Sequence, residues 1–166
     1  LDDVKVRKAI VHAIPIDDIM TNIVKETGIR SRNTSVPPNM PGSASDMLEP
    51  VPYDVEKAKQ LLAESSQPNG FKTELHVIAP NDVWVPQALA IQEALKAINI
   101  EVEVKTYPYD AFITLLQSGE YQGMVLVQWG SDFPDALGNL LPLFHSKNHP
   151  PQNNSSFYSN PQVDEL

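Results

Sequence analysis

A chain of 166 residues, 42% hydrophobic and 20% charged, has the size and balance of one folded domain with a core of its own, which argues against general disorder. The formal net charge of −9, with no basic patch, argues against a nucleic-acid phosphate backbone as partner. The absence of cysteine removes disulfides, thiolate nucleophiles and cysteine-based zinc sites. No stretch approaches the roughly 18 apolar residues of a membrane span. The chain starts on Leu1 and ends as a helix begins near Asn160-Pro161, so it is expected to be a fragment of a larger protein.

In chain order, Val6, Ala9, Ile10, Ala13 and Ile14 recur at helical spacing and predict a helix over Val4–Ile14. Pro15 interrupts it, and Asp17 or Asp18 opens a short second helix through Ile19, Ile23 and Val24, with Gly28 as its stop. Residues 30–52 form a long polar loop with five prolines, of the kind that is either functional or draped over the surface. Asp54 is a good N-cap for a helix over Val55–Glu64 whose apolar face is Ala58, Leu61 and Leu62. Gln67-Pro68-Asn69-Gly70 reads as a turn.

A regular alternation follows. Thr73–Ala79 is a strand, and 82–98 a helix with Trp84, Ala88, Ile91, Leu95 and Ile98 on one face. In Ile100–Tyr107, Ile100, Val102 and Val104 alternate with Glu101, Glu103 and Lys105, the pattern of a half-exposed strand. Asp110–Ser118 is a helix closed by Gly119, and Met124–Val127 a third strand. Strand–helix–strand–helix–strand predicts an α/β unit with a mainly parallel sheet and flanking helices. The alternating second strand belongs at an edge, and the uniformly apolar third is expected to be covered on both faces. A short helix over Ala136–Leu143 and a Pro/Asn/Ser-rich loop over 145–161 complete the chain.

Residues 123–135 carry the most chemistry. The third strand ends at Trp129-Gly130, and Asp132 and Asp135 flank Phe133-Pro134. Open α/β sheets place ligand contacts at the carboxyl ends of their strands. There, Trp129 offers a flat apolar wall, Gly130 a close approach to the backbone, and Asp132 a counter-charge for a cation. The plainer readings are an N-cap for Asp132 and a core aromatic for Trp129; Trp84, on the apolar face of its helix, reads as core. His145 and His149 stand four apart, as metal ligands on a helix do, but Pro150-Pro151 follow and a solvated loop is the better reading. His12 and His76 read as structural. No phosphate loop, dinucleotide fingerprint, nucleophile elbow or zincin motif is present, so the sequence makes no case for catalysis or a cofactor.

Four landmarks then resemble one family. Val6-Arg7-Lys8-Ala9-Ile10, Tyr53-Asp54-Val55-Glu56-Lys57-Ala58 through Leu61-Leu62, Gly119-Glu120-Tyr121-Gln122 running on to Trp129-Gly130-Ser131-Asp132-Phe133, and Tyr158-Ser159-Asn160-Pro161-Gln162-Val163-Asp164 stand in its order and spacing. The chain resembles the bacterial extracellular solute-binding proteins of family 5, the peptide, oligopeptide and nickel receptors of ABC importers. The resemblance implies a periplasmic-binding-protein-like α/β fold, with residues 1–166 as a single lobe, the second of a two-lobed clamshell. It implies a binding protein and not an enzyme, held outside the cytoplasm in the periplasm or as a lipoprotein. Its partners would be a small solute such as a peptide, the first lobe, and a membrane permease. It further implies that Asp132 holds a ligand's ammonium group and that Trp129, Gly130, Ser131 and Phe133 line the same pocket. The chain departs from the family after this point, reading Asp135-Ala136-Leu137-Gly138 where members often read Asp-Pro-Asp-Asn. Two other readings stand beside this one: a flavodoxin-like α/β enzyme domain using Asp132 or Asp135 as acid–base or metal ligand, and a purely structural interaction domain.

Overall fold

A computed structural model describes residues 1–25 and 28–165. Packing divides the chain into two compact units. The first is Leu1–Arg30, Val51–Pro108 and Gln122–Leu126; the second is Ser31–Pro50, Tyr109–Tyr121 and Val127–Leu166.

The first unit holds α1 (Val4–Ala13), α2 (Ile16–Ile19), α3 (Val55–Ala63), β1 (Phe71–Ile78), α4 (Trp84–Leu95), β2 (Ile100–Tyr107) and β3 (Met124–Val125). Asp3 caps α1 by accepting from the Lys5 amide, and Asp54 caps α3 by accepting from the Lys57 amide. α2 runs on into a wider turn over Met20–Val24, whose last carbonyl bond returns five residues, from Lys25 to Met20. Lys25, at φ 56°, caps these wider turns, and the expected stop of the helix is Gly28. Residues 26 and 27, just before that glycine, lie outside the described residues.

The three strands are all parallel, in the order β2-β1-β3. β1 and β2 pair in register from Phe71 opposite Ile100 to Ile78 opposite Tyr107. One sheet face is apolar: Leu75, Val77, Ile100 and Val102 join α1, α3 and α4 in a single core that also takes Trp84. The other face is polar, with Lys72 opposite Glu101, Glu74 opposite Glu103 and His76 opposite Lys105. Lys72 Nζ lies 2.9 Å from Glu101, and Lys105 Nζ 2.5 Å from Glu103. The β2 alternation therefore does mark an edge strand.

The third strand departs from expectation. β3 pairs over two residues only, at the opposite edge, and is half-buried; Val127 beyond it is 50% exposed. The most buried strand is β1, where Leu75, His76 and Val77 are buried in succession and His76 breaks the apolar run. That histidine is 2% exposed because its ring is satisfied: Nδ1 lies 3.0 Å from the Tyr107 hydroxyl and Nε2 2.9 Å from the Gln122 carbonyl. Hydrogen bonds across distant segments make a polar residue buriable, and no local pattern announces them.

The second unit holds α5 (Tyr109–Ser118), α6 (Leu137–Phe144), α7 (Pro161–Asp164) and connecting loops. α5 buries Phe112 and Leu116 and ends at Gly119, at φ 67°, where a side chain would strike the Phe157 ring. The loop over 145–158 winds around Asn154, which is fully buried. Its amide donates to the His145 and Tyr158 carbonyls, and its Oδ1 accepts from the Ser156 hydroxyl and the Tyr158 amide. Burial pushes the Tyr121 phenol up, against its hydrogen bond to the Ser155 carbonyl.

Candidate functional site

The sheet ends where Leu126 N–H donates to the His76 carbonyl at 2.9 Å. The chain then enters the second unit, and residues 129–138 form a compact turn against the start of α6. A proline sets this arrangement. In an α-helix the Gly138 carbonyl would accept from the amide four residues on, but that residue is Pro142, which has no N–H. The Trp129 indole N–H takes the vacant place, donating to Gly138 O at 2.9 Å. Trp129 is half-buried and held by its indole nitrogen.

Ser131 lies directly against the same turn of helix. Its hydroxyl donates to the Phe133 carbonyl at 2.6 Å. A Cβ on Gly138 would fall 2.0 Å from Ser131 Oγ, so only glycine admits this approach. Gly130 is different: it is exposed, and a Cβ there would meet nothing within 4 Å. Packing within the chain does not require a glycine at 130.

Asp135, not Asp132, bonds the start of α6, its Oδ1 accepting from the Leu137 amide at 2.9 Å, while the N-cap itself is Ala136, without a side-chain cap bond. The plain reading of Asp132 as that cap therefore fails. Asp132 and Phe133 are exposed, and the Asp132 carboxylate makes no hydrogen bond or ion pair among the described residues. The segment thus presents an uncommitted anion beside an aromatic ring, on a backbone fixed from behind. Among the described residues, no group of three or more His, Cys, Asp or Glu side chains could hold a metal ion. His145 and His149 are each engaged locally. His145 Nδ1 accepts from the Lys147 amide at 3.1 Å, and His149 Nε2 lies 2.9 Å from the Tyr158 carbonyl.

Two residues that sequence reasoning passed over hold the turn. Pro142, four residues after a glycine, is a visible signal of an orphaned carbonyl. Asn139 is 5% exposed and donates to the Ser35 carbonyl at 2.7 Å, while its Oδ1 is buried without a hydrogen-bond partner among the described residues. The long proline-rich loop contributes again where Ala136 N–H donates to the Pro41 carbonyl at 3.1 Å. Part of that loop is therefore the support of α6.

Comparison with known proteins gives a consistent result. The family described as bacterial extracellular solute-binding proteins, family 5 Middle, matches residues 1–151. The dipeptide-binding protein of Escherichia coli is 31% identical over 148 residues, covering 87% of this chain and 27% of its own length. Heme-binding protein A of Haemophilus influenzae is 31% identical over 169 residues, 99% of this chain and 30% of that protein. The ABC transporter-associated periplasmic binding protein DppA of Helicobacter pylori, solved with the peptide STSA, superposes with a TM-score of 0.87 at 29% identity. That superposition covers 98% of this chain and 31% of the other. The chain spans less than a third of the length of each of these three proteins.

Proposed function

The chain belongs to the bacterial extracellular solute-binding proteins of family 5, and from that premise we propose that it is one lobe of the substrate-binding component of an ABC importer. The receptor captures a peptide or similar small solute outside the cytoplasm and delivers it to a membrane permease. Both packing units are assigned to this lobe, and the first lobe of the same receptor supplies the opposite wall of the cleft. Trp129, Gly130, Ser131, Asp132 and Phe133 form this lobe's share of the binding surface, with Asp132 as counter-charge to a ligand's ammonium group.

The observation that carries this reading is the contrast between the two acids. Asp135 is committed to the Leu137 amide at the helix start, whereas Asp132 projects from a braced turn with no partner among the described residues. The same contrast weakens the enzyme reading, which needs an acid–base pair or a shared metal at these positions. The matched relatives are named as binding proteins, which gives that alternative no support.

The test uses the full-length receptor. Mass spectrometry of solute that co-purifies with it is expected to find short peptides; sugars or metal chelates would keep the class and move the substrate. Calorimetry with the recovered peptide should show Asp132→Asn binding about 10- to 100-fold more weakly, the cost of removing one partner of a charge-assisted bond. Unchanged affinity would remove Asp132 from the site. The 166-residue chain alone should bind the peptide weakly or not at all, because half of the contacts are missing.

A further inference from the structure

Helix α6 is inverted. Leu137, Leu140, Leu141 and Phe144 recur at i, i+3, i+4 and i+7, the stripe that ordinarily faces a core. Here the three leucines face out, Leu137 54% exposed, Leu140 42% and Leu141 49%, while Phe144 is half-buried with its ring edge-on to Tyr158. The buried residues of the helix are Gly138 and Asn139. This orientation is fixed by contacts already described: the Gly138 carbonyl on Trp129, the Gly138 backbone against Ser131, and the Asn139 amide on Ser35. Turning the leucines inward would break all three. The outward face is built in by specific bonds and does not result from loose packing.

We propose that this face of α6 is a permanent docking surface for the part of the receptor polypeptide that lies outside residues 1–166. This rests on the reading of the chain as one lobe of a larger receptor. Three observations select that occupant. First, three half-exposed leucines fall well short of the roughly 20–30 residues a side that a stable complex of separate chains buries. A tethered segment needs far less, because the linkage holds it at high effective concentration. Second, the aligned region is only 27–31% of the three relatives compared above, and the matching family description names a middle portion. Members of this family therefore carry the additional polypeptide that such a face needs. Third, α6 contains no charged residue. A lipid-seeking helix carries Lys or Arg on its polar face, and a net charge of −9 is repelled by anionic membranes. A solute-facing wall that is alternately wet and dry would also be poorly served by an uninterrupted apolar stripe.

The chain has no cysteine, so Leu140→Cys gives it a single reporter thiol. The thiol is introduced into the 166-residue chain and into the solute-free full-length receptor, and maleimide modification at that position is followed by mass spectrometry. The expected result is rapid modification in the chain alone and at least about tenfold slower modification in the receptor, independent of protein concentration. Equal rates overturn the proposal. Protection that appears only as concentration rises points to a second copy, and protection that appears only on adding dipeptide points to the solute; either overturns it. In a second measurement, Leu140→Asp should lower the melting temperature of the full-length receptor by about 2–4 °C and leave that of the 166-residue chain unchanged. Peptide calorimetry on the same receptor separates the two claims. A receptor that binds peptide but leaves the thiol unprotected fails this inference alone, and one that protects the thiol but binds no solute fails the importer reading alone.

Discussion

α4 and α6 use similar apolar residues and end up facing opposite ways. In α4 the repeat Ala88, Ile91, Leu95 turns into the first unit's core, and Leu89 is left outside. In α6 the repeat Leu137, Leu140, Leu141 turns outward, and a glycine and an asparagine go in. The difference lies in what steers each helix. α4 is oriented by apolar burial, with Asn81 Oδ1 accepting the Val83 and Trp84 amides at its start. α6 is oriented by a proline-orphaned carbonyl, a close glycine contact and an amide hydrogen bond. Apolar periodicity identifies a helix and its stripe; it does not say that the stripe finds its partner within the same chain.

The largest expected effect breaks this comparison most directly. Leu95 is fully buried, and Leu95→Ala should destabilise the 166-residue chain by about 2–5 kcal/mol through lost transfer energy and a cavity. Leu140→Ala, an equal change on an exposed face, should stay within about 0.5 kcal/mol. Urea unfolding of both variants decides the matter, and a large loss at Leu140 would mean that the outward face is already covered within this chain. Next in size is Gly138→Ala. In an exposed helix interior this exchange stabilises by about 1 kcal/mol. Here the new methyl meets Ser131 Oγ at 2.0 Å and the Phe133 carbonyl at 3.1 Å, so overpacking should reverse the sign to about 1–3 kcal/mol of destabilisation. A shifted Trp129 indole N–H resonance should accompany it.

Legibility in the sequence follows the same division. The first unit was open to reading because capping and periodicity coincide there: Asp54 caps α3, Gly70 closes its turn at φ 85°, and Ile100–Tyr107 is the strand that its alternation predicts. The β-α-β-α-β order and parallel sheet were legible for that reason. The position of the most buried strand was not, because His76 becomes buriable only through Tyr107 and Gln122, which lie far off in sequence. In the candidate site the residue types at 129–133, proposed here as ligand contacts, were legible. Their support was not, since it depends on Ser35 and Pro41 in a loop about a hundred residues earlier. That Asp135 and not Asp132 bonds the helix start turned on local geometry that two nearby acids leave open.

The Trp129–Gly138 bond sharpens the comparison at about the 1 kcal/mol level. Trp129→Phe keeps an aromatic ring but leaves the Gly138 carbonyl without its donor, a loss of about 1 kcal/mol beyond that of ring area. If Pro142 is the reason that the carbonyl needs Trp129, then Pro142→Ala supplies an amide in its place, and Trp129→Phe should cost less in that background. A double-mutant cycle by urea unfolding measures the coupling, and additive effects would detach the proline from the tryptophan.

The smallest effect compares the two units by their response to acid. Each has a carboxylate held below the ordinary value of 3.8 by bonds to its charged form. In the first unit Asp3 accepts the Ser66 and Lys5 amides, both at 2.7 Å. In the second, Asp164 accepts the Ser146 hydroxyl at 2.6 Å and its amide at 2.8 Å. Because both folded-state values are depressed, both contributions are fully present above 3.8 and are lost as pH falls through the lower folded values. Both groups keep partial contact with solvent, so the effects are small and screened by salt. Asp3→Asn and Asp164→Asn should each lower the melting temperature slightly at about pH 6 and match the unsubstituted chain at about pH 2. A difference that persists unchanged at the lower pH would mean that the bond geometry, not the carboxylate charge, is what each unit uses.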